Sequence, residues 1–161
     1  MTAVGGVLAA AAAVGAGLAG GVYFTFTAIV LPALRRRSAI EAVAVMQRAN
    51  ERAVRAPFMI VFFGGAIAAC AAAGTGQSAE LGDNIVSLRV IGASLALASV
   101  GTTIVFNVPL NNALARVHPS EATALAAWRS FDAGWSRANA LRTVLAVASS
   151  ALFAASLSAR P

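Results

Sequence analysis

Apolar residues run almost without a break from 3 to 34, from 57 to 74 and from 85 to 106, and again from 143 to 157, with nearly every charge between them. A helix needs about 20 apolar residues to cross the hydrocarbon core of a bilayer. The first three runs each predict a span. The last is short of that length and spans only if its helix begins several residues early. The pattern therefore predicts an all-α chain: a single transmembrane domain over 1–161, an integral membrane four-helix bundle with spans near 3–34, 57–74, 85–106 and 138–158.

Shorter signals fill in the connections. Ser38 and Glu41 have the spacing of a capping box, and Ile40, Val43 and Met46 fall on one face, which predicts a short interfacial helix after the first span, its arginines meeting anionic lipid. Pro32 is expected to kink or end the first helix, and Pro57 suits the first turn of the second span. Gly17 and Gly21, with Ala16 and Gly20 one position earlier, have the spacing of close helix contacts. Beyond His118 and Pro119, Ser120 or its neighbour can start a helical extension leading into the fourth span, with Glu121 as its acidic first turn.

Charge orients these spans. Arg35, Arg36, Arg37, Arg48, Arg52 and Arg55 stand against Glu41 and Glu51 in the first connection, whereas the loop before the third span has Glu80 and Asp83 and no base. By the positive-inside rule the first connection is cytoplasmic and both termini lie outside, in a multi-pass protein of a bacterial cytoplasmic membrane. The formal net charge is +6, with arginine as the sole basic side chain apart from His118, but no solvated domain carries basic residues interleaved with aromatics, which excludes a nucleic-acid partner. Only 11% of residues are charged and 59% are hydrophobic, against roughly 25% charged in a soluble domain. The single Cys70 excludes an intrachain disulfide and a cysteine metal cluster, and is expected to serve packing. Arg89, in the first turns of the third span, is expected to snorkel to the outer surface.

The stretch 106–143 breaks the apolar pattern, holding four asparagines, both tryptophans and the histidine. Thr103, Asn107 and Asn111 recur every fourth residue and share a helical face. Pro109 cannot donate to the Val105 carbonyl, and the Asn amides beside it are expected to take up that acceptor, either as a polar lock or as part of a site. Glu121, Leu125, Trp128, Asp132, Trp135, Asn139 and Arg142 step by fours and threes, one stripe if Gly134 leaves the helix whole. Two accounts of the stripe stay open: an interfacial aromatic belt with a snorkelling arginine, or an aromatic-floored cavity in which Asp132 and Arg142 are the ionisable groups.

The first span ending in Phe24-Thr-Phe26 and Val30-Leu-Pro32-Ala-Leu34, the residues Met46, Gln47 and Asn50, the run Phe106-Asn-Val-Pro-Leu-Asn-Asn112, and Trp135 with Asn139, Arg142 and Thr143 together resemble a bacterial family of four-helix membrane proteins that also contains the fungal anthrone oxygenases. Members usually carry a second Trp and a His at the positions of Ala138 and Ala140. The resemblance implies cofactor-free oxygenation, or binding, of a small hydrophobic aromatic or quinone-like molecule at the inner leaflet. On that reading Asp132 and Arg142 are the candidate catalytic residues, and Asn107, Asn111, Trp128, Trp135 and Asn139 the candidate substrate-binding ones. The rival is a non-catalytic membrane assembly subunit or transport accessory. Metal-ligand spacing and nucleotide-binding glycine motifs are lacking, so no cofactor is expected. Membrane lipid, an aromatic ligand, and a homo-oligomer or partner membrane subunit are the expected partners.

Overall fold

In the computed structural model, residues 3–75, 82–118 and 121–159 are described. Glu80, Pro119, Ser120 and the side chain of Glu121 lie outside the described residues. The described chain forms five helices: α1 (Ala3–Leu34), α2 (Ala39–Ala53), α3 (Ala56–Gly74), α4 (Asp83–Ala115) and α5 (Glu121–Ser158). All but α2 are long and apolar enough to span a membrane. α1 packs on α3 and α5, and α4 packs on the same two, so the spans close into a ring. Val7, Val14, Leu18 and Ile67 point outward, as lipid-facing positions require.

α3 and α5 begin close to where the pattern places the second span and the helical extension, and Gly134 does not interrupt α5. α1 ends at Leu34, two residues past Pro32 and within the turn where an end was expected, whereas α4 runs on for six residues past Pro109, to Ala115. Each contains one five-residue π-helical segment, Phe26–Val30 and Thr103–Asn107, two residues before Pro32 and Pro109 respectively. The Leu31 N–H reaches back to the Phe26 carbonyl and the Val108 N–H to the Thr103 carbonyl. Widening by one residue lets a helix continue through a proline that cannot donate. α4 thus extends nine residues beyond the run ending at 106.

Side-chain size decides how closely the helices approach. A Cβ on Gly15 would fall 2.6 Å from the Gly65 Cα, so α1 and α3 cross backbone against backbone there. Gly17 and Gly20 instead meet Ser150 and Val147 of α5, and Gly21 faces open space. Hydroxyls reinforce the contacts of α5: Ser150 donates to the Ala13 carbonyl at 2.7 Å and Ser149 to the Gly92 carbonyl at 2.8 Å.

Three expectations are corrected. Arg89 is 0% exposed and does not snorkel. It shares the inward face of α4 with Ile85, Gly92 and Ala96, and the rotation of that helix is set where Gly92 seats the Phe153 ring; a Cβ there would come within 3.0 Å of the ring. Cys70 is exposed on the outside of α3 and does not serve the core. The capping box of α2 forms, with the Glu41 N–H donating to the Ser38 hydroxyl and the Ser38 N–H to the Glu41 carboxylate. Yet Val43 and Met46 are wholly buried against Leu114, Ala124 and Trp128, so the apolar face of α2 closes the bundle instead of lying in lipid.

Candidate functional site

Trp128, Trp135, Asn139 and Arg142 all face inward along α5, as the four-and-three spacing predicts. Leu125 is about half exposed and leaves the stripe, its inward place being taken by Ala124. Towards the Arg-rich end the stripe is an aromatic stack: Trp128 lies on Phe131 with centroids 6.0 Å apart, and Phe131 on Trp135 at 5.9 Å. Phe26, from the π segment of α1, also packs on Trp135, tilted against it with centroids 5.5 Å apart. Deeper in the bundle the stripe turns polar.

Asn139 and Arg142 form the centre of this polar part. The Arg142 Nε and Nη2 donate to the Asn139 carbonyl oxygen at 3.0 and 2.8 Å, and Nη1 donates to the Thr103 hydroxyl at 3.3 Å. Asn139 in turn donates to the Tyr23 carbonyl at 2.8 Å and to the Thr27 hydroxyl at 2.7 Å. The guanidinium carbon sits 4.1 Å from the centroid of the Tyr23 ring and 5.1 Å from that of Trp135, within cation–π range of both. Arg142 is 7% exposed, and its hydrogen-bond partners are all neutral. No carboxylate of the described residues pairs with it. A buried cation without a counter-ion is costly in a membrane and by default marks a functional position.

Asn107 and Asn111 reach across to α5. Asn107 does not turn back to the Val105 carbonyl: its Nδ2 approaches the Trp135 carbonyl at 3.5 Å, and its Oδ1 is buried with no hydrogen-bond partner among the described residues. Asn111 accepts from the Trp135 Nε1 at 2.9 Å, which fixes the indole ring beside Arg142.

Asp132 is placed elsewhere. Its carboxylate takes a bidentate pair from Arg35, 2.7 Å from Nε and 2.9 Å from Nη2, and a further bond from Ser136 at 2.9 Å. Ten residues separate it from Arg142, about 15 Å along a helix, so the two do not converge on one small group. The hydrogen bond to Asp132, more than the charge beside it, raises the Arg35 guanidinium above its ordinary pKa.

None of Tyr23, Thr27, Phe26 and Arg35 was assigned to the site from the sequence. For Tyr23 there was a signal: it is the only tyrosine in the chain and lies inside a span. The other three look like any residues near the end of an apolar run, and only the packing of α1 on α5 gives them partners.

An apolar groove of about 510 Å³ opens between α4 and α5, lined by Phe106, Pro109, Leu110, Gly134, Ala138 and Leu141 among others. Ala138 is buried in its wall, whereas Ala140 faces outward. A large side chain at 138 would occupy the groove, and alanine leaves it open.

The fold and this cluster define a multi-pass α-helical membrane protein with an ionisable side chain held inside its bundle. A family model described as anthrone oxygenase matches residues 58–152, more than half of the chain, and the chain belongs to that family. The matched segment contains Asn107, Asn111, Trp135, Asn139 and Arg142, while their partners Tyr23, Thr27 and Phe26 precede it. Comparison with curated proteins and with solved structures gives no match.

Proposed function

We propose that this protein binds the oxyanion of a small planar aromatic molecule within the membrane, and that this binding serves an anthrone-oxygenase-like reaction. The observation that carries the reading is the buried Arg142 guanidinium, stacked between Tyr23 and Trp135 and hydrogen-bonded only to neutral groups. An anion entering here supplies the missing counter-charge, and the aromatic walls suit a flat ring. With the Arg-rich end cytoplasmic, the ligand enters from the inner leaflet.

In cofactor-free oxygenation an acidic methylene loses a proton, the carbanion delocalised onto an aromatic oxygen reacts with dioxygen, and the hydroperoxide loses water to leave a carbonyl. One methylene and one dioxygen thus give one carbonyl and one water. The role assigned to Arg142 is to hold the delocalised oxyanion, and the dry aromatic surroundings strengthen that interaction. Asp132 is committed to Arg35 and is assigned no proton transfer.

The test is binding of a dihydroxyanthraquinone to the purified protein, followed by the absorbance change on phenol ionisation. Arg142 should favour the ionised dye, and Arg142→Lys should weaken its binding by about 1 to 3 kcal/mol, the scale of a hydrogen bond to a charged group. The exposed Arg129→Lys serves as control, a part that the buried Arg89 cannot play. Equal binding by parent and Arg142→Lys would turn the cluster into a structural lock and favour the non-catalytic assembly subunit.

A further inference from the structure

A second cavity, of about 310 Å³, lies between α2 and the end of α4, with Gln47, Asn50, Glu51, Val54, Asn111 and Asn112 in its wall. Its volume is at the lower end of the range for small-molecule sites, roughly 300 to 1,000 Å³. Unlike the groove between α4 and α5, it gathers five amide or carboxylate side chains around one space.

These side chains differ in what they leave available. Gln47 is occupied structurally, donating to the Leu114 and Val117 carbonyls at 2.9 Å each and so closing the end of α4. Asn111 has its carbonyl oxygen taken by the Trp135 indole, so what it can offer a ligand is its amide N–H groups. The Asn50 Nδ2 is buried and has no hydrogen-bond partner among the described residues. Buried donors are nearly always paired; the Asn50 Nδ2 is covered as it stands, and a small turn of this side chain, which lines the cavity, would present it to an acceptor from outside the chain. Glu51 disfavours an anion as that acceptor, and Val54, Val108 and Ala115 supply apolar wall.

We infer that this cavity binds a neutral molecule with a carbonyl oxygen on an apolar body, the oxygen accepting from Asn50 and Asn111. The site is distinct from that of Arg142, although the Asn111–Trp135 hydrogen bond joins the two and gives the cavity an optical reporter. It does not rest on the oxyanion reading.

Menadione, a neutral aromatic dicarbonyl, is the probe, and quenching of tryptophan fluorescence in the detergent-solubilised full chain is the measurement. Quenching should saturate, and 2-methylnaphthalene, which lacks the carbonyls, should not compete. Asn50→Asp, which replaces the donor with a charged acceptor, should weaken binding roughly tenfold or more, about the loss of one hydrogen bond. Val54→Trp is a second variant at an exposed position of the wall; it should block the cavity without disturbing buried contacts. Arg129→Lys, at an exposed position of α5, should bind menadione like the parent. Quenching that rises linearly without saturation, or no quenching, overturns the inference in favour of partition into detergent or a water-filled cavity. Binding that survives both Asn50→Asp and Val54→Trp, or that falls in Arg129→Lys as much as in the cavity variants, overturns it as well.

Discussion

Asn139 holds Arg142 by accepting two of its N–H groups on one oxygen, at 3.0 and 2.8 Å, while its own amide nitrogen is anchored to the Tyr23 carbonyl and the Thr27 hydroxyl of α1. The arginine is thereby fixed by a residue one turn away that is itself fixed by another helix. Replacing Asn139 with Leu leaves the guanidinium buried without its main acceptor. The expected loss is about 2 to 4 kcal/mol, between a charged hydrogen bond and a broken buried pair, read from unfolding in detergent. Adding Arg142→Met to Asn139→Leu should recover part of that loss; a purely additive double variant would mean that the two side chains are not coupled.

Asn107 should matter far less to stability than its burial suggests. Its only side-chain hydrogen bond among the described residues is at the outer limit of length, and its oxygen has no hydrogen-bond partner among them. Asn107→Leu is therefore expected to cost less than about 1 kcal/mol. A loss above 2 kcal/mol in the same unfolding assay would mean that its amide is satisfied more fully than this geometry gives.

Two glycines on α1 predict opposite outcomes. Gly15→Ala pushes a methyl group into the Gly65 backbone, whereas Gly21→Ala meets nothing within 4 Å. Overpacking of this kind costs about 1 to 3 kcal/mol, so melting temperatures should fall for Gly15→Ala and stay level for Gly21→Ala.

The Arg35–Asp132 pair has good bidentate geometry, but Arg35 is 48% exposed. A double-mutant cycle with Arg35→Ala and Asp132→Ala should return a coupling of about 1 kcal/mol or less, falling as salt is added. If Asp132→Ala abolished turnover of a substrate while Arg35→Ala did not, Asp132 would regain a part in the chemistry.

Acid should loosen the start of α2. Hydrogen bonds from the Ser38 side chain and then its backbone hold the Glu41 carboxyl below its ordinary value of 4.5. Because the folded pKa is the lower one, the cap contributes fully above the ordinary value and its contribution is lost as pH falls through the folded one. Amide exchange at the first turn of α2, corrected for its intrinsic rate, should speed up in the parent as pH is lowered from above the ordinary value of 4.5 through the folded one. Glu41→Gln, which keeps capping-box geometry without a titrating group, should not show that change.

Much of the architecture is written in local spacing. Runs of about 20 apolar residues have to be helices in a bilayer because backbone groups there must pair within their own segment. The Ser38–Glu41 box and the four-and-three stripe are equally local, so the start of α2 and the inward face of α5 from Trp128 to Arg142 could be read from residue order alone. What each side chain meets could not. Pro109 looked like a break because a sequence does not reveal that a turn will widen there and let the helix carry on to Ala115. Asp132 and Arg142 looked like the two ionisable groups of one cavity, but helical rise separates them and Arg35, 97 residues earlier in the chain, takes the carboxylate. Arg89 looked long enough to reach the surface, yet α4 is turned by the seat that Gly92 gives Phe153. Helical periodicity repeats every few residues and is visible in the chain; the rotation of one helix against another depends on side chains scores of residues apart, and that only the folded bundle decides.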